Sequence, residues 1–307
     1  MADGSGHITW IAADWGTSNL RVWLMGPGPK PLVSLEAHTG AGSLTRDGFE
    51  GALLDLVGPY LPESGHIPVM VCGMAGSRQG WAEAAYHTVP CKPPGFDDAV
   101  PVDCTDPRLQ VRILPGVKQT KPADVMRGEE TQIAGFLSEN NKFDGVLCLP
   151  GTHTKWVHIS AEEIVTFQTF MTGEMFALLS EKSMLRHSVA KGGHDAGAFA
   201  EGLSDAMRRP QAVAAQLFNI RAATLVADMA PGAARGRLSG LLIGLELMAT
   251  RPYWLGQNVV LIGADALSEI YREALSSQGV VAQMADANTC VLNGLRAAYE
   301  TMQETTA

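Results

Sequence analysis

A short polar segment near the start of the chain contains the residue types that bind phosphate and magnesium. Asp14 closes an apolar run that begins at Ile8, and the residues that follow are Gly16, Thr17, Ser18 and Asn19. An aspartate at a strand end can hold Mg²⁺ directly or through water, and a glycine lets backbone N–H groups and short polar side chains approach phosphate oxygens. A second apolar run, Leu20 to Met25, contains Arg21, so the pattern predicts a β-hairpin. A polar turn with no function would use the same residue types.

A second segment of the same kind lies 135 residues further along the chain. The apolar run Gly145 to Leu149 leads into Gly151, Thr152, His153, Thr154 and Lys155, and a return strand follows. An ungapped alignment of Gly16 with Gly151 places Thr17 over Thr152, Asn19 over Thr154 and Val22 over Val157. We therefore expect a duplicated α/β domain in which two turns clamp a polyphosphate, with Arg21 and Lys155 available for its charge.

Two glutamates occupy consecutive positions in a segment with helical periodicity. The spacing predicts a helix from Pro122 to about Ser138, with Asp124 as its cap and an apolar stripe through Met126, Ile133 and Leu137. Glu130 falls on that stripe and Glu129 lies beside it. Burial would raise the pKa of Glu130 toward that of a general base. A surface position or an ion pair with Arg127 is the alternative interpretation.

The loop after the apolar strand Pro68 to Cys72 is suited to a sugar acid. It offers a guanidinium, an amide and aromatic rings in Ser77, Arg78, Gln79, Trp81 and Tyr86. Arginine binds carboxylates bidentately, and an aromatic ring can stack on a sugar-like carbon chain. Thr172 and Glu174, at a predicted helix start, could add hydroxyl contacts, although such residues are often only helix caps.

The remaining elements alternate between strand and helix, which predicts an α/β fold. Helices are expected over about 172–186, 211–229 and 238–249 and after Asn288, with a strand from Asn258 to Ile262. That strand leads to Gly263 and Ala264, which either approach a nucleotide or simply form a tight turn. The passage from Pro90 to Pro107 contains five prolines and is expected to be a loop or lid.

Composition and missing motifs exclude several classes of protein. With 46% hydrophobic and 18% charged residues the chain is not a disordered one, and its 23 basic against 32 acidic residues oppose binding of nucleic acid or an anionic membrane over the whole surface. Five scattered cysteines fit a reducing cytoplasm. The apolar stretch 238–249 contains Glu246 and is too short for a membrane span. Walker, dinucleotide-binding and G-x-S-x-G motifs are absent from the sequence.

The motifs together resemble those of the actin-like ATPase and sugar-kinase superfamily and, more closely, the 2-dehydro-3-deoxygalactonokinase family. The segments that carry this resemblance span most of the chain in order; they are 13–21, 72–81, 124–132, 149–156, 171–174 and 238–244. The resemblance implies a two-domain actin-like (ribonuclease H-like) ATPase fold with duplicated βββαβα-type lobes and a cleft between them. It also implies transfer of the γ-phosphoryl group of ATP, with Mg²⁺, to the 6-hydroxyl of 2-dehydro-3-deoxy-D-galactonate in galactonate catabolism.

The same resemblance assigns roles to residues. Asp14 would organise Mg²⁺, residues 16–19 and 151–155 would hold the phosphates, and Gly263 and Ala264 would lie against adenosine. Glu130, with Glu129 as the alternative, would be the base. The expected lobes are residues 1–127 and 128–288, with 289–307 packing back on the first. Homo-oligomerisation stays open, and so do two other functions: an exopolyphosphatase-like phosphohydrolase and a non-catalytic sugar-acid sensor.

Overall fold

The predicted first hairpin is the centre of a six-stranded sheet. The computed structural model describes residues 7–306. The elements of this part of the chain are β1 (Trp10–Trp15), β2 (Leu20–Met25), β3 (Pro31–Ala37), α1 (Gly48–Val57), β4 (Ile67–Gly73), β5 (His87–Thr88), β6 (Val100–Val102), β7 (Leu109–Ile113), β8 (Val117–Thr120), β9 (Ala123–Met126) and α2 (Glu129–Glu139). Strand β1 pairs antiparallel with β2 and parallel with β4, and the order of the six-stranded sheet is β3-β2-β1-β4-β7-β6. A smaller sheet has the order β5-β8-β9.

The predicted second hairpin is the centre of a five-stranded sheet. The elements of this part of the chain are β10 (Gly145–Leu149), β11 (Thr154–Ser160), β12 (Glu163–Phe170), α3 (Thr172–Glu181), α4 (Ala196–Arg208), α5 (Val213–Val226), α6 (Pro231–Ala249), α7 (Arg251–Trp254), β13 (Val259–Gly263), α8 (Asp265–Ser276) and β14 (Gln283–Asp286). The strand order of the sheet is β12-β11-β10-β13-β14. Helix α9 (Ala287–Thr306) follows. Short 3-10 helices cover Ala41–Ser43, Gly58–Tyr60, Met74–Gly76, Phe96–Asp98, Met184–His187 and Pro210–Ala212.

The two sheets repeat one topology. In each, a hairpin partner and the next strand lie on one side of the first strand. On the other side lie later strands, which are β4, β7 and β6 in the first sheet and β13 and β14 in the second. Strands β4 and β13 both run parallel to the first strand of their sheet. The order 3-2-1-4, which both sheets share, confirms the α/β class and the duplication that the two hairpins predicted.

The chain divides into two units. The first is built from the chain up to Phe143, from Ser160–Thr166 and from Ala287 onward, and the second from Asp144–Ile159 and Phe167–Asp286. The first boundary thus follows α2, whereas the sequence placed it at residue 127. Helix α9 belongs to the first unit, where the rings of Tyr299 and Trp10 stack with centroids 4.5 Å apart.

Each unit has its own apolar core. In the first unit, one face of the sheet packs with α1 through residues such as Val22 and Leu53, and the other packs with α9 through Met70 and Leu295. In the second unit, Trp156 of β11 packs with Phe199, Leu247 and Leu275 of the surrounding helices. These cores hold the strand ends that carry the candidate site residues.

Two predicted elements are wrong in detail. The helix expected from Pro122 begins only at Glu129, because residues 123–126 form β9 and satisfy their backbone hydrogen bonds by pairing with β8. Asp124 therefore does not cap α2. The proline-rich passage also contains a short strand, β6, which pairs with β7 at the edge of the sheet, a position that tolerates Pro101.

The ungapped alignment of the hairpins is wrong by one residue in the return strand. Asp14 pairs with Arg21 across the first hairpin, whereas Leu149 pairs with Lys155 across the second. Lys155 is therefore the counterpart of Arg21, and Thr154 that of Leu20. Since a one-residue shift moves every side chain to the opposite face, this register explains why Thr154 is buried rather than exposed in the turn.

Among the described residues, no helix combines the length and the apolar character that crossing a membrane requires.

Candidate active site

The first hairpin turn comprises residues 16–19. Its side chains face solvent, and its backbone groups form hydrogen bonds within the protein. Thr17, Ser18 and Asn19 are exposed. The turn is closed by a hydrogen bond of 2.9 Å from the backbone N–H of Gly16 to the carbonyl of Asn19, and the Asn19 amide oxygen lies 2.8 Å from Nδ1 of His38. Hydroxyl and amide groups held on a fixed turn are available to contact phosphate oxygens.

A glycine-containing segment after β3 braces this turn, and sequence reasoning missed it. The N–H groups of Gly40, Ala41 and Gly42 donate to the carbonyls of Ser18, Gly16 and Thr17 at 2.9–3.1 Å. A Cβ atom on Gly40 would lie 2.3 Å from the Thr17 carbonyl oxygen, so only glycine fits. The run Gly-Ala-Gly after a strand is the signal that could have identified it.

Asp14 lies at the end of β1 with 8% of its surface exposed. Its carboxylate forms an ion pair with Arg21, and the Cys72 thiol is 3.6 Å from its Oδ1. Gly73 ends the neighbouring strand with φ of +85°, and a Cβ there would lie 2.6 Å from the Trp15 carbonyl oxygen. Neither Cys72 nor Gly73 was singled out individually from the sequence, although both belong to the family-like segment 72–81.

The two glutamates begin α2 and differ in their surroundings. Glu130 is fully buried, and both of its carboxylate oxygens accept from the Gly128 N–H at 2.8 Å. Glu129 is half-buried and accepts from the Arg127 N–H at 3.0 Å. Burial, and then the charge of Glu129, raise the pKa of Glu130 to about 8. The helical stripe thus predicted the burial of Glu130 and the direction of its pKa correctly.

The Cys72 thiol contacts the Asp14 carboxylate and lies close enough to the Glu130 carboxylate for its charge to act on the thiol. Burial raises the pKa of this thiol well above the ordinary value, and the charges of Asp14 and Glu130 raise it further. The ends of β1 and β4 and the start of α2 therefore bring a carboxylate suited to Mg²⁺ and a carboxylate suited to accepting a proton to one place.

The structure separates the residues of the predicted sugar-acid loop into two groups. Arg78 and Gln79 are exposed and Ser77 is half-buried, while Arg46 holds the loop through the carbonyls of Arg78 and Gly80. Trp81 is instead a core residue, 7% exposed, and its ring stacks on Phe49 and contacts the edge of Trp15. In the same way, the Arg127 guanidinium lies over the Tyr86 ring, 4.2 Å from its centroid. Aromatic stacking on a substrate is therefore not available to Trp81 in this conformation.

The second hairpin turn, residues 151–153, also presents its side chains to solvent, while the two residues that follow it are buried. Thr152 and His153 are exposed, and Gly151 is partly exposed. Thr154 is fully buried, and its hydroxyl lies 3.0 Å from that of Tyr271. Lys155 is 5% exposed, and its Nζ donates to the His153 carbonyl at 3.3 Å. Thr154 and Lys155 thus lie beneath the turn and support it.

Residues at the start of α3 hold the second hairpin turn in place, as residues 40–42 hold the first. The Glu174 N–H donates to the Thr152 carbonyl at 3.0 Å, and its carboxylate lies 2.7 Å from Nε2 of His153. A Cβ on Gly173 would lie 2.3 Å from the Gly151 carbonyl oxygen. Both braces follow the third strand of their sheet. The structure therefore groups Thr172 and Glu174, predicted as sugar-acid contacts, with the second turn.

A cavity of about 370 Å³ opens beside the second turn within the same unit. Gly151 and Thr152 line it, together with side chains of α3, α6 and α8 that include Phe176, Arg235 and Tyr271. This volume lies in the range of small-molecule sites. Gly263 ends β13 against the Pro150 carbonyl, where a Cβ would lie 3.4 Å from that oxygen, and exposed Ala264 precedes α8.

A magnesium ion in the first unit would take one protein carboxylate, that of Asp14, and most of its ligands from water or phosphate oxygens. Within residues 7–306, no group of three or more His, Cys, Asp or Glu side chains is placed to hold a metal. Mg²⁺ usually takes one or two carboxylates and completes its shell with water and phosphate oxygens. Asp14 can supply such a carboxylate. Gly73 beside it has no side chain to fill the space near Oδ1, which a Cβ on Gly73 would approach to 3.4 Å.

Comparison with solved structures supports the fold assignment. The crystal structure of a Sinorhizobium meliloti protein, assigned in its name as a 2-dehydro-3-deoxygalactonokinase, matches with a TM-score of 0.88 at 36% identity, covering 95% of this chain and 99% of that chain. Component A of the (R)-2-hydroxyglutaryl-CoA dehydratase of Acidaminococcus fermentans matches with a TM-score of 0.50 at 11% identity, covering 95% and 98%, which concerns the fold alone. The chain has the actin-like ATPase and sugar-kinase fold.

Sequence comparison gives the family. The protein named "Probable 2-dehydro-3-deoxygalactonokinase DgoK1" of Rhizobium meliloti (strain 1021) is 37% identical over 298 residues, which cover 94% of this chain and 96% of the relative. The 2-dehydro-3-deoxygalactonokinase of Escherichia coli (strain K12) is 32% identical over 292 residues, covering 94% and 96%. The family model described as 2-keto-3-deoxy-galactonokinase matches residues 14–298. The family model's match begins at Asp14 and contains both turns and both glutamates of α2, and on these matches the chain belongs to the 2-keto-3-deoxy-galactonokinase family.

Proposed function

We propose that this chain is a sugar-acid kinase that transfers the γ-phosphoryl group of ATP to the 6-hydroxyl of 2-dehydro-3-deoxy-D-galactonate. The observation that carries the proposal is the family match over almost the entire chain, combined with two hairpin turns that are braced in the same way. The family resemblance, the five free cysteines and the need for ATP support a cytoplasmic location.

The second unit would bind the nucleotide. The exposed groups of Thr152 and His153 would contact phosphate oxygens, and the cavity beside them would take the nucleoside. Lys155 would act from beneath the turn, where it supports the backbone and adds positive charge. Gly263 and Ala264 would border the nucleoside at the start of α8.

The first unit would supply the residues of the transfer step. Thr17, Ser18 and Asn19 would contact the transferred phosphoryl group, and Arg21 would hold the Asp14 carboxylate in place. Asp14 would hold Mg²⁺, which supplies positive charge to the phosphoryl oxygens when it is bound with ATP. Phosphoryl transfer depends more on positioning and charge than on proton removal, so Glu130 would make the smaller contribution as the base.

The acceptor would be recognised by the exposed end of the loop after β4. Ser77, Arg78 and Gln79 offer a hydroxyl, a guanidinium and an amide, and the guanidinium matches the carboxylate of a sugar acid. We leave Trp81 out of this set because its ring lies in the core, and we give Tyr86 the role of holding Arg127. We assign Thr172 and Glu174 to nucleotide binding instead, because they lie at the start of the helix that braces the second turn.

A coupled assay of ADP release tests the proposal. The purified protein is given Mg–ATP with each of a panel of 2-keto-3-deoxy sugar acids, and the phosphorylated carbon is identified by NMR. We expect release that depends on 2-dehydro-3-deoxy-D-galactonate and a product phosphorylated at the 6-oxygen. ADP release at the same rate without an acceptor would instead indicate a phosphohydrolase, and no release with any of these acids would refute the kinase proposal.

A further inference from the structure

Helix α6 carries a carboxylate into the interior of the second unit. Glu246 is 1% exposed and lies in the apolar stretch for which the sequence predicts a helix. A buried carboxylate is unfavourable unless hydrogen-bond donors replace the water that it has lost. Glu246 has no role in the proposed function, so we infer its role from the side chains that donate hydrogen bonds to its carboxylate.

Three side chains donate hydrogen bonds to this carboxylate. The Trp156 indole N–H donates to Oε1 at 2.8 Å, the Tyr271 hydroxyl donates to Oε2 at 2.9 Å, and the Thr172 hydroxyl also donates to Oε2. Tyr271 has a single hydroxyl proton and gives it to Glu246. The hydroxyl of Thr154, 3.0 Å away, must therefore donate to the Tyr271 oxygen.

Each of these partners belongs to an element of the nucleotide side. Thr154 and Trp156 lie on the return strand of the second turn, Thr172 begins the helix that braces the turn, and Tyr271 lies on α8. Thr172 and Tyr271 also line the cavity beside the turn. One carboxylate thus joins β11, α3 and α8 to α6 below the site.

We propose that Glu246 is a positioning residue which holds the second turn, its brace on α3 and the cavity wall on α8 in the arrangement that binds ATP. This inference rests on the proposed function, because it assumes that the second unit binds the nucleotide. Glu246 does not itself line the cavity, and it acts through Trp156, Thr172 and Tyr271, and through Tyr271 on Thr154.

A carboxylate is suited to this position because it accepts three hydrogen bonds and needs to donate none. Burial raises the pKa of Glu246 to about 7, while the hydrogen bonds from Thr172, Trp156 and Tyr271 act against that rise. The titratable groups that face it are Cys148 on β10 and Tyr271 on α8; burial raises the pKa of both, and the charge of Glu246 raises each of them further. A glutamine can replace it if the hydroxyl groups of Thr172 and Tyr271 rotate to accept, whereas a leucine leaves all three donors unpaired.

The test compares E246L and E246Q with the matched variant L247A. Leu247 is the next residue of α6 and is fully buried in the core of the same unit, but it takes no part in the network with its side chain. The measurements are KM for ATP, KM for the sugar acid, kcat, and Mg–ATP binding by calorimetry, which does not depend on turnover. Thermal unfolding reports the stability of each variant.

We expect E246L to raise KM and Kd for ATP at least about tenfold, with smaller changes in kcat and in KM for the sugar acid. E246Q should stay within about threefold of the wild type, and L247A should lower the unfolding temperature while leaving KM for ATP unchanged. An E246L variant that binds ATP like the wild type would overturn the inference. Equal increases in KM for ATP in E246L and L247A would also overturn it, because they would show a loss of stability alone.

A second variant keeps the inference testable if E246L does not fold. W156F removes one donor to Glu246 and retains an aromatic ring in the core, and Trp156 does not line the cavity. It should raise KM for ATP severalfold, and an unchanged KM would contradict the inference. The wild-type assay separates the two proposals. Wild-type protein that binds Mg–ATP but phosphorylates no sugar acid refutes the proposed kinase function and leaves the inference about Glu246 standing, whereas wild-type protein that does not bind Mg–ATP refutes both.

Discussion

The burial of Glu130 predicts that the protein loses stability as the pH rises from weakly acidic to weakly basic values. The folded protein raises the pKa of this carboxyl from its ordinary value of 4.5 to about 8. Because the folded state retains the proton more strongly than the unfolded state, the stabilisation is complete below pH 4.5 and is lost as the pH passes through 8. Burial disfavours the ionised form, and the Gly128 N–H offsets only part of that penalty.

The magnitude follows from the two pKa values. At ~1.36 kcal/mol per pKa unit, the difference between 4.5 and about 8 corresponds to about 5 kcal/mol, most of which is lost between pH 5 and 9. Glu130→Gln has nearly the same shape and keeps an oxygen that accepts from Gly128, but it does not titrate. The variant should therefore lack this decrease, and its stability relative to the wild type should grow by about 4 kcal/mol over that range.

Urea unfolding curves at each pH from 5 to 9, followed by tryptophan fluorescence, measure the effect. Glu129→Gln is the matched control, since it removes the half-buried carboxylate of the neighbouring residue. Its unfolding free energy should follow that of the wild type more closely than Glu130→Gln does. If the curves of wild type and Glu130→Gln ran parallel across the whole range, Glu130 would not be a buried carboxyl with a raised pKa, and the argument for it as a base would be refuted.

Three further predictions concern the two turns and the core. Asp14→Asn should lower kcat at saturating Mg–ATP by ~10²–10³-fold, and a kcat close to that of the wild type would show that this carboxylate does not hold the metal. Gly173→Ala should raise KM for ATP about tenfold, because its Cβ would lie 2.3 Å from a carbonyl oxygen of the second turn, whereas Gly232→Ala on α6, with nothing within 4 Å, should leave it unchanged. Trp81→Ala should cost about 3–5 kcal/mol of stability, while Trp81→Phe should keep KM for the sugar acid; a large rise in that KM would return Trp81 to the substrate site.

Local patterns identified the hairpins and the buried glutamate because the physics behind them is local. A polar turn between two apolar runs predicts a hairpin. The 3.6-residue spacing of the apolar residues placed Glu130 on the inner face of α2, even though the predicted helix began too early. The pairing of β8 with β9, which ended that helix prediction, depends on hydrogen bonds between strands. A single stretch of sequence does not reveal such a partner.

The parts of the site that sequence reasoning missed depend on contacts between distant segments. The braces at Gly40 and Gly173 act on turns that lie more than 20 residues earlier in the chain. The partners of Glu246 come from three separate elements. Trp81 looked like a substrate-stacking residue because its neighbours Arg78 and Gln79 are polar, but Phe49 and Trp15 cover its ring. Residue types in a loop thus indicate chemistry without indicating which side chains face inward.

The packing of α9 on the first unit has a consequence for the order of synthesis. The face of β1 and β4 that carries Trp10 and Met70 is covered by α9, which begins only at Ala287. A ribosome that has finished α2 must add about 140 further residues first, which takes roughly 10 to 30 s at ordinary rates of elongation. During that interval an apolar sheet face of the nascent chain is uncovered and open to chaperones or to aggregation. Truncation at the C-terminus would therefore damage the part of the protein that is made first.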